Sequence, residues 1–248
     1  FEGQASAVLF KEKLQRMGIK VYTHTATPGY PTNIDLVVSP EGYGKNEYIP
    51  VEAPVVVVNA PGPGSGKLAT CLNQMYHEAR MGETPHYSKL ETFPIWNLPL
   101  DHPVNIAYEA ATADLGDVNL IDHFHLQAYG KVTVNYNRDL EAYPLLRKII
   151  ERINNSECPY KSPTDMGVNR CGFGITDDEA CREAGRQEII RRYFKIKTDY
   201  ASGLCDDETV GRINAIMDKA QLTPEMRAVV APARDALKKA IESGKGKD

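Results

Sequence analysis

Residues 62–67 read Gly-Pro-Gly-Ser-Gly-Lys, just after four consecutive valines at 55–58 and before a helix-like stretch. A strand, a glycine-rich loop and a helix start, in that order, bring free backbone N–H groups and the positive end of the helix dipole onto one anion. The chemistry this predicts is phosphate binding. Gly62, Gly64, Ser65, Gly66 and Lys67 are the expected cradle, and Thr70 is the nearest hydroxyl after the lysine. Lys67 is also a catalytic candidate, because an ammonium there neutralises charge that develops as a phosphoryl group moves. ATP or another phosphate ligand, with Mg²⁺, is the matching cofactor. The pattern departs twice from G-x-x-x-x-G-K-[ST]: Pro61 stands at the opening glycine and Leu68 at the hydroxyl that normally holds Mg²⁺. The same residues also fit a tight turn whose glycines serve only sterics.

Asp122-His123-Phe124-His125 puts a carboxylate and two imidazoles within four residues. Asp122 closes the apolar run from Val118 and is the metal or base candidate; His125 is a candidate for general acid–base work. On a strand, His123 and His125 face one side, as a two-histidine metal edge requires. A hydrogen-bonded rim histidine is the plainer alternative for His125. The loop 161–169 packs many hydrogen-bonding groups and fits either substrate contacts or a capped linker. Asn135 to Asp139 is read as a helix N-cap in preference to a substrate-facing turn. Glu109 and Asp114, five apart, do not share a helix face well. Arg186, Arg191 and Arg192 fit a solvated, salt-bridged helix face.

The elements that must position these residues follow from pattern. Helices are expected over Ala5–Met17, Leu68–Arg80, Val104–Asp114, Arg138–Ile153, Asp177–Ser202, Asp206–Ala220 and Thr223–Ser243, the last three opened by capping Asp or Thr. Strands are expected over Ile19–Thr25, Ile34–Val38, Val55–Val58, Leu90–Trp96, Val118–Ile121 and Val132–Tyr136. A valine run without alternation points to burial on both faces of a parallel sheet. The fold class is α/β: a mostly parallel sheet with a P-loop-like strand-loop-helix, followed by a mainly helical subdomain, divided as residues 1–137 and 138–248.

Composition agrees with a globular protein: 248 residues, 42% hydrophobic, 25% charged, net charge −4. The acidic balance argues against nucleic acid as the main partner. No apolar run approaches the roughly 20 residues of a membrane helix. Five cysteines without a Cys-x-x-Cys pair suit a reducing, cytoplasmic setting. The start at Phe1 suggests a piece of something longer. The expected partner is a phosphorylated small molecule, with no nucleic acid and no membrane, and with self-association left open.

Five runs carry a family resemblance: Ala60-Pro-Gly-Pro-Gly-Ser-Gly-Lys67, Phe93-Pro-Ile-Trp-Asn-Leu-Pro99, His102-Pro-Val-Asn105, Tyr108-Glu-Ala-Ala-Thr-Ala-Asp-Leu115 and Tyr160-Lys-Ser-Pro-Thr-Asp-Met-Gly-Val-Asn169. They closely resemble DUF1846 (UPF0371), a bacterial cytosolic family of unknown function, over nearly the whole chain. The resemblance implies proteins about twice as long, so that this piece lacks an N-terminal segment of the α/β domain and a C-terminal half. It brings no established activity. Some members bear an ATP-dependent zinc protease label, but His77-Glu78-Ala79-Arg80-Met81 lacks the second histidine of His-Glu-x-x-His. The function expected is that of a cytosolic enzyme binding a nucleotide or phosphorylated small molecule, with phosphoryl transfer or hydrolysis as its chemistry. The alternatives are a metabolite-binding module without turnover, or an active site in the missing half.

Overall fold

The computed structural model describes residues 3–62 and 64–243; Pro63 of the glycine loop lies outside them. In chain order its elements are α1 (Ala5–Arg16), α2 (Ile34–Val37), a 3-10 turn (Tyr43–Lys45), α3 (Lys67–Arg80), β1 (Lys89–Leu90), α4 (Pro103–Ala111), β2 (Asn119–Ile121), α5 (His123–Tyr129), β3 (Val134–Tyr136), α6 (Asn137–Asn154), β4 (Gly167–Val168), a second 3-10 turn (Cys171–Gly174), α7 (Asp178–Ala201), α8 (Asp207–Lys219) and α9 (Pro224–Glu242). The architecture is α/β and dominated by helix. β1 pairs with β4 in parallel, and β2 pairs with β3 antiparallel, with Asn119 opposite Tyr136 and Ile121 opposite Val134. No helix among the described residues is long and apolar enough to cross a membrane.

The chain divides into two compact units. The first comprises the described residues of Phe1–Tyr87 with Pro144–Pro159, the second those of Ser88–Tyr143 with Tyr160–Asp248. In the first unit α3 buries Leu72, Asn73, Met75 and Tyr76, and the Tyr76 ring lies tilted against buried Tyr43 with centroids 6.2 Å apart. In the second unit α4, α7, α8 and α9 share one apolar core, in which Ile189, Tyr193, Val210 and Ile213 are wholly buried. The caps read from sequence are in place: Asp177, Asp206 and Thr223 accept the N–H groups of Ala180, Thr209 and Met226 at the starts of α7, α8 and α9.

The strands of the first unit are the correction. Residues 34–37 are helical because the Asn33 side chain accepts the Leu36 N–H at 3.1 Å, which starts a helix. The segment 19–25 forms no ladder. The Thr25 N–H donates to the Asn46 side chain at 2.8 Å, and the Thr23 N–H to the Glu47 carboxylate at 3.2 Å. Residues 55–58 have no sheet neighbour among the described residues, and Val55 and Val57 are 77% and 83% exposed. Four β-branched residues favour a strand only where a partner supplies the hydrogen bonds and covers the side chains. In the second unit the strand expected at 90–96 stops after Leu90, and the Ile95 N–H and C=O both pair with the Asn105 side chain.

Gly185 sets the approach of α7 to α4. A β-carbon there meets the Pro103 carbonyl carbon at 2.7 Å and the Val104 nitrogen at 2.8 Å, both of them backbone atoms. At Gly211, inside α8, a β-carbon meets nothing within 4 Å. Gly185→Ala is expected to destabilise by about 1–2 kcal/mol, since overpacking outweighs the gain in helix propensity. Gly211→Ala is expected to stabilise by roughly 0.5–1 kcal/mol. Urea denaturation of both variants checks the pair, and a shift of the same sign in both contradicts the packing argument.

Candidate functional site

The glycine loop belongs to the first unit. Gly66 caps α3 in the left-handed region, φ 87°, and no side chain provides a capping oxygen. Gly64 is also left-handed, at φ 70°. Among the described residues a β-carbon at Gly62, Gly64 or Gly66 would meet nothing within 4 Å, so glycine is needed at 64 and 66 for handedness, not for space. The Lys67 ammonium donates to the Gly62 carbonyl at 2.8 Å and lies 3.5 Å from Ser65 Oγ. The Ser65 hydroxyl donates to the same carbonyl. The Thr70 N–H closes the first helical turn on the Gly66 carbonyl at 2.9 Å. The N–H groups of Lys67, Leu68 and Ala69 then belong to the set that a helix cannot pair internally.

Asp122 and His125 lie in the second unit. Asp122 is wholly buried and caps α5: one carboxylate oxygen accepts the His125 N–H at 2.9 Å. The other accepts the Thr164 N–H at 3.2 Å and the Thr164 hydroxyl at 2.6 Å. This cap makes residues 123–129 a helix where the two-histidine reading needs a strand. Positions 123 and 125 are about 200° apart around a helix and diverge. His123 is exposed, its ring 4.0 Å from that of Phe124. His125 Nδ1 lies 2.9 Å from Ser162 Oγ. Ser162 Oγ also accepts the Asp165 N–H at 2.9 Å, which leaves it one lone pair and one hydrogen for the contact with His125 Nδ1. Ser162 is wholly buried and orients the ring. The loop 161–169 turns inward elsewhere too, with Asn169 Nδ2 donating to the Thr92 and Pro94 carbonyls.

The remaining candidates have packing partners. His77 Nε2 donates to the Asn46 carbonyl at 2.8 Å. Buried Glu109 accepts the Asn119 N–H at 2.9 Å and is ion-paired with Lys219. Arg186 pairs with Glu179 and Glu183, and Arg191 and Arg192 with Glu188, all along α7.

Sequence reasoning missed Lys89, Glu91, Tyr108 and Asp117, which meet Tyr136, Arg138 and Asp139 in the second unit. Lys89 is ion-paired with Asp139 and lies 3.6 Å from Glu91 Oε1, to which the Tyr136 hydroxyl donates at 3.1 Å. Arg138 pairs with Asp117, which also accepts the Tyr108 hydroxyl at 2.8 Å. Burial pushes the Tyr108 and Tyr136 hydroxyls well above the ordinary phenol range. The available signal was Lys89-Leu90-Glu91, whose charged residues share one face at the period of a strand.

Asp122→Asn replaces a carboxylate oxygen that faces N–H donors with an amide that brings donors of its own. It is expected to cost about 1–3 kcal/mol in chemical denaturation while leaving the helical circular-dichroism signal in place. An unchanged denaturation midpoint contradicts the role assigned to Asp122.

The family "Domain of unknown function DUF1846, N-terminal" matches residues 1–221. A UPF0371 protein of Clostridium botulinum strain Alaska E43 / Type E3 is 60% identical over 235 residues, which cover 95% of this chain and 47% of that protein. One from strain ATCC 19397 / Type A is 61% identical over 234 residues, covering 94% of this chain and 47% of that protein. The chain thus spans about half the length of the curated relatives it matches. With the family matched over nearly all of its residues, the loop sequence included, the chain belongs to DUF1846.

Proposed function

We propose that the chain binds a phosphorylated small molecule at Gly62, Gly64, Ser65, Gly66 and Lys67, with the phosphate at the N-terminus of α3. One observation carries this reading: the Lys67 ammonium rests on a loop carbonyl beside a helix start that no side chain caps. A phosphate there replaces the carbonyl as partner of the ammonium, accepts the first-turn N–H groups and sits at the positive end of the helix dipole. The open space around the loop glycines leaves their backbone accessible to it. The chemistry that fits is phosphoryl transfer or hydrolysis on ATP or another phosphate ester, with Lys67 neutralising charge in the transition state.

Leu68 favours a second reading, in which the loop senses a phosphorylated metabolite without turning it over. The hydroxyl that would hold Mg²⁺ beside the phosphates is missing there, and Thr70 is the next one along the helix. His125, whose ring Ser162 holds through Nδ1, is the proton-transfer candidate of the other unit; no step is assigned to it.

Calorimetry with inorganic phosphate and with ATP, each with and without Mg²⁺, tests the site. Lys67→Ala is expected to weaken binding by about tenfold or more, equivalent to about 1.4 kcal/mol. Equal affinity in the two proteins sinks the reading. Phosphate release alongside a thermal shift supports turnover, and a shift without release supports sensing.

A further inference from the structure

The charges packed around Tyr136, of which only Arg138 is substantially exposed, do not balance if every carboxyl group is ionised. The side chains of Lys89, Glu91 and Asp139 are only 13%, 15% and 10% exposed. Lys89 with Asp139, and Arg138 with Asp117, make two neutral ion pairs. Glu91 is the fifth charge and has no cation of its own. Its Oε1 accepts the Tyr136 hydroxyl, whereas its Oε2 is buried and has no hydrogen-bond partner among the described residues. An ionised oxygen in that position gives up its hydration without a replacement. A carboxylic acid removes the surplus charge and turns Glu91 into a donor.

We propose that Glu91 holds a proton in the folded unit and that its release as pH rises is a switch, which draws Lys89 away from Asp139 and loosens β1 from β4. The groups facing Glu91 are Lys89 from β1, Tyr136 from β3, Asp139 from α6 and Tyr108 from α4. Burial raises the Glu91 pKa above the ordinary carboxylate range and Asp139 adds to it, against the opposing pull of Lys89 and of the Tyr136 hydroxyl. Once ionised, Glu91 competes with Asp139 for a single ammonium. The bonds at stake are those from the Lys89 N–H to the Met166 carbonyl, 3.1 Å, and from the Glu91 N–H to the Val168 carbonyl, 3.0 Å. The linkage has a definite sign. A carboxyl whose folded pKa is raised stabilises fully below its unfolded pKa, and that contribution is lost as pH rises through the folded pKa.

Amide hydrogen exchange at Lys89 and Glu91, corrected for intrinsic rates, reads the switch in the whole chain. In the wild type, protection is expected to fall by up to about tenfold per pH unit between the open-state and closed-state pKa values of Glu91, and then to level off. Glu91→Gln is expected to remove this pH dependence. The wild-type Glu91 carboxyl carbon shift, which needs no variant, is expected to titrate above the ordinary carboxylate range. A Glu91 titration within that range, or the same protection profile in both proteins, overturns the proposal.

Discussion

Three side-chain amides stand where sheet neighbours would otherwise be. Asn46 brackets Thr25, accepting its N–H at 2.8 Å and donating to its carbonyl at 3.3 Å. Gln74 does the same for Ile49, at 3.2 and 2.7 Å, and Asn105 for Ile95, at 2.7 and 3.1 Å. An amide offers one acceptor and one donor side by side, the two bonds that a hydrogen-bonded pair in an antiparallel ladder exchanges. Backbone groups away from water have to be paired. These three side chains meet that demand for segments that would otherwise need a sheet. Asn105 also donates to the Pro99 carbonyl and, wholly buried, fixes the path from Ile95 to α4.

This arrangement explains which parts of the fold were legible in the sequence. Helices carry their evidence locally, as period, capping residue and terminating glycine, so α3, α4, α6, α7, α8 and α9 fall close to their expected bounds. Strands depend on a partner elsewhere in the chain. The pair β2 and β3 was readable because its two runs are short neighbours that find one another. The apolar run Ile34–Val38 points to a strand but is largely helical because Asn33 caps it, and Ile19–Thr25 joins no ladder because a side chain twenty-one residues away takes the hydrogen bonds of Thr25.

The candidate sites were legible to different degrees for the same reason. The glycine loop is contiguous, so its residues and the helix after them could be read together, whereas the left-handed backbone at Gly64 and Gly66 is visible only in the structure. Asp122 and His125 were found as residue types. What they bind, Thr164 and Ser162, depends on a fold that brings positions about forty apart into contact. The charged cluster is assembled from β1, α4, β3 and α6, and no local pattern unites its members. In it, as at His102, polar groups are buried with directed partners: that imidazole accepts the Val104 N–H through Nδ1 and donates to Asp178 through Nε2.

Gly66 and Gly185 are both constrained, but by different properties of the same residue. At Gly185 the limit is volume, because the neighbouring helix backbone occupies the space of a methyl group. At Gly66 no described residue lies within 4 Å of an added β-carbon and the limit is stereochemical, set by a positive φ that L-residues resist. The first constraint would relax if α4 moved outward. The second belongs to the chirality of the amino acids themselves, and no rearrangement of neighbours can lift it while the loop keeps its course.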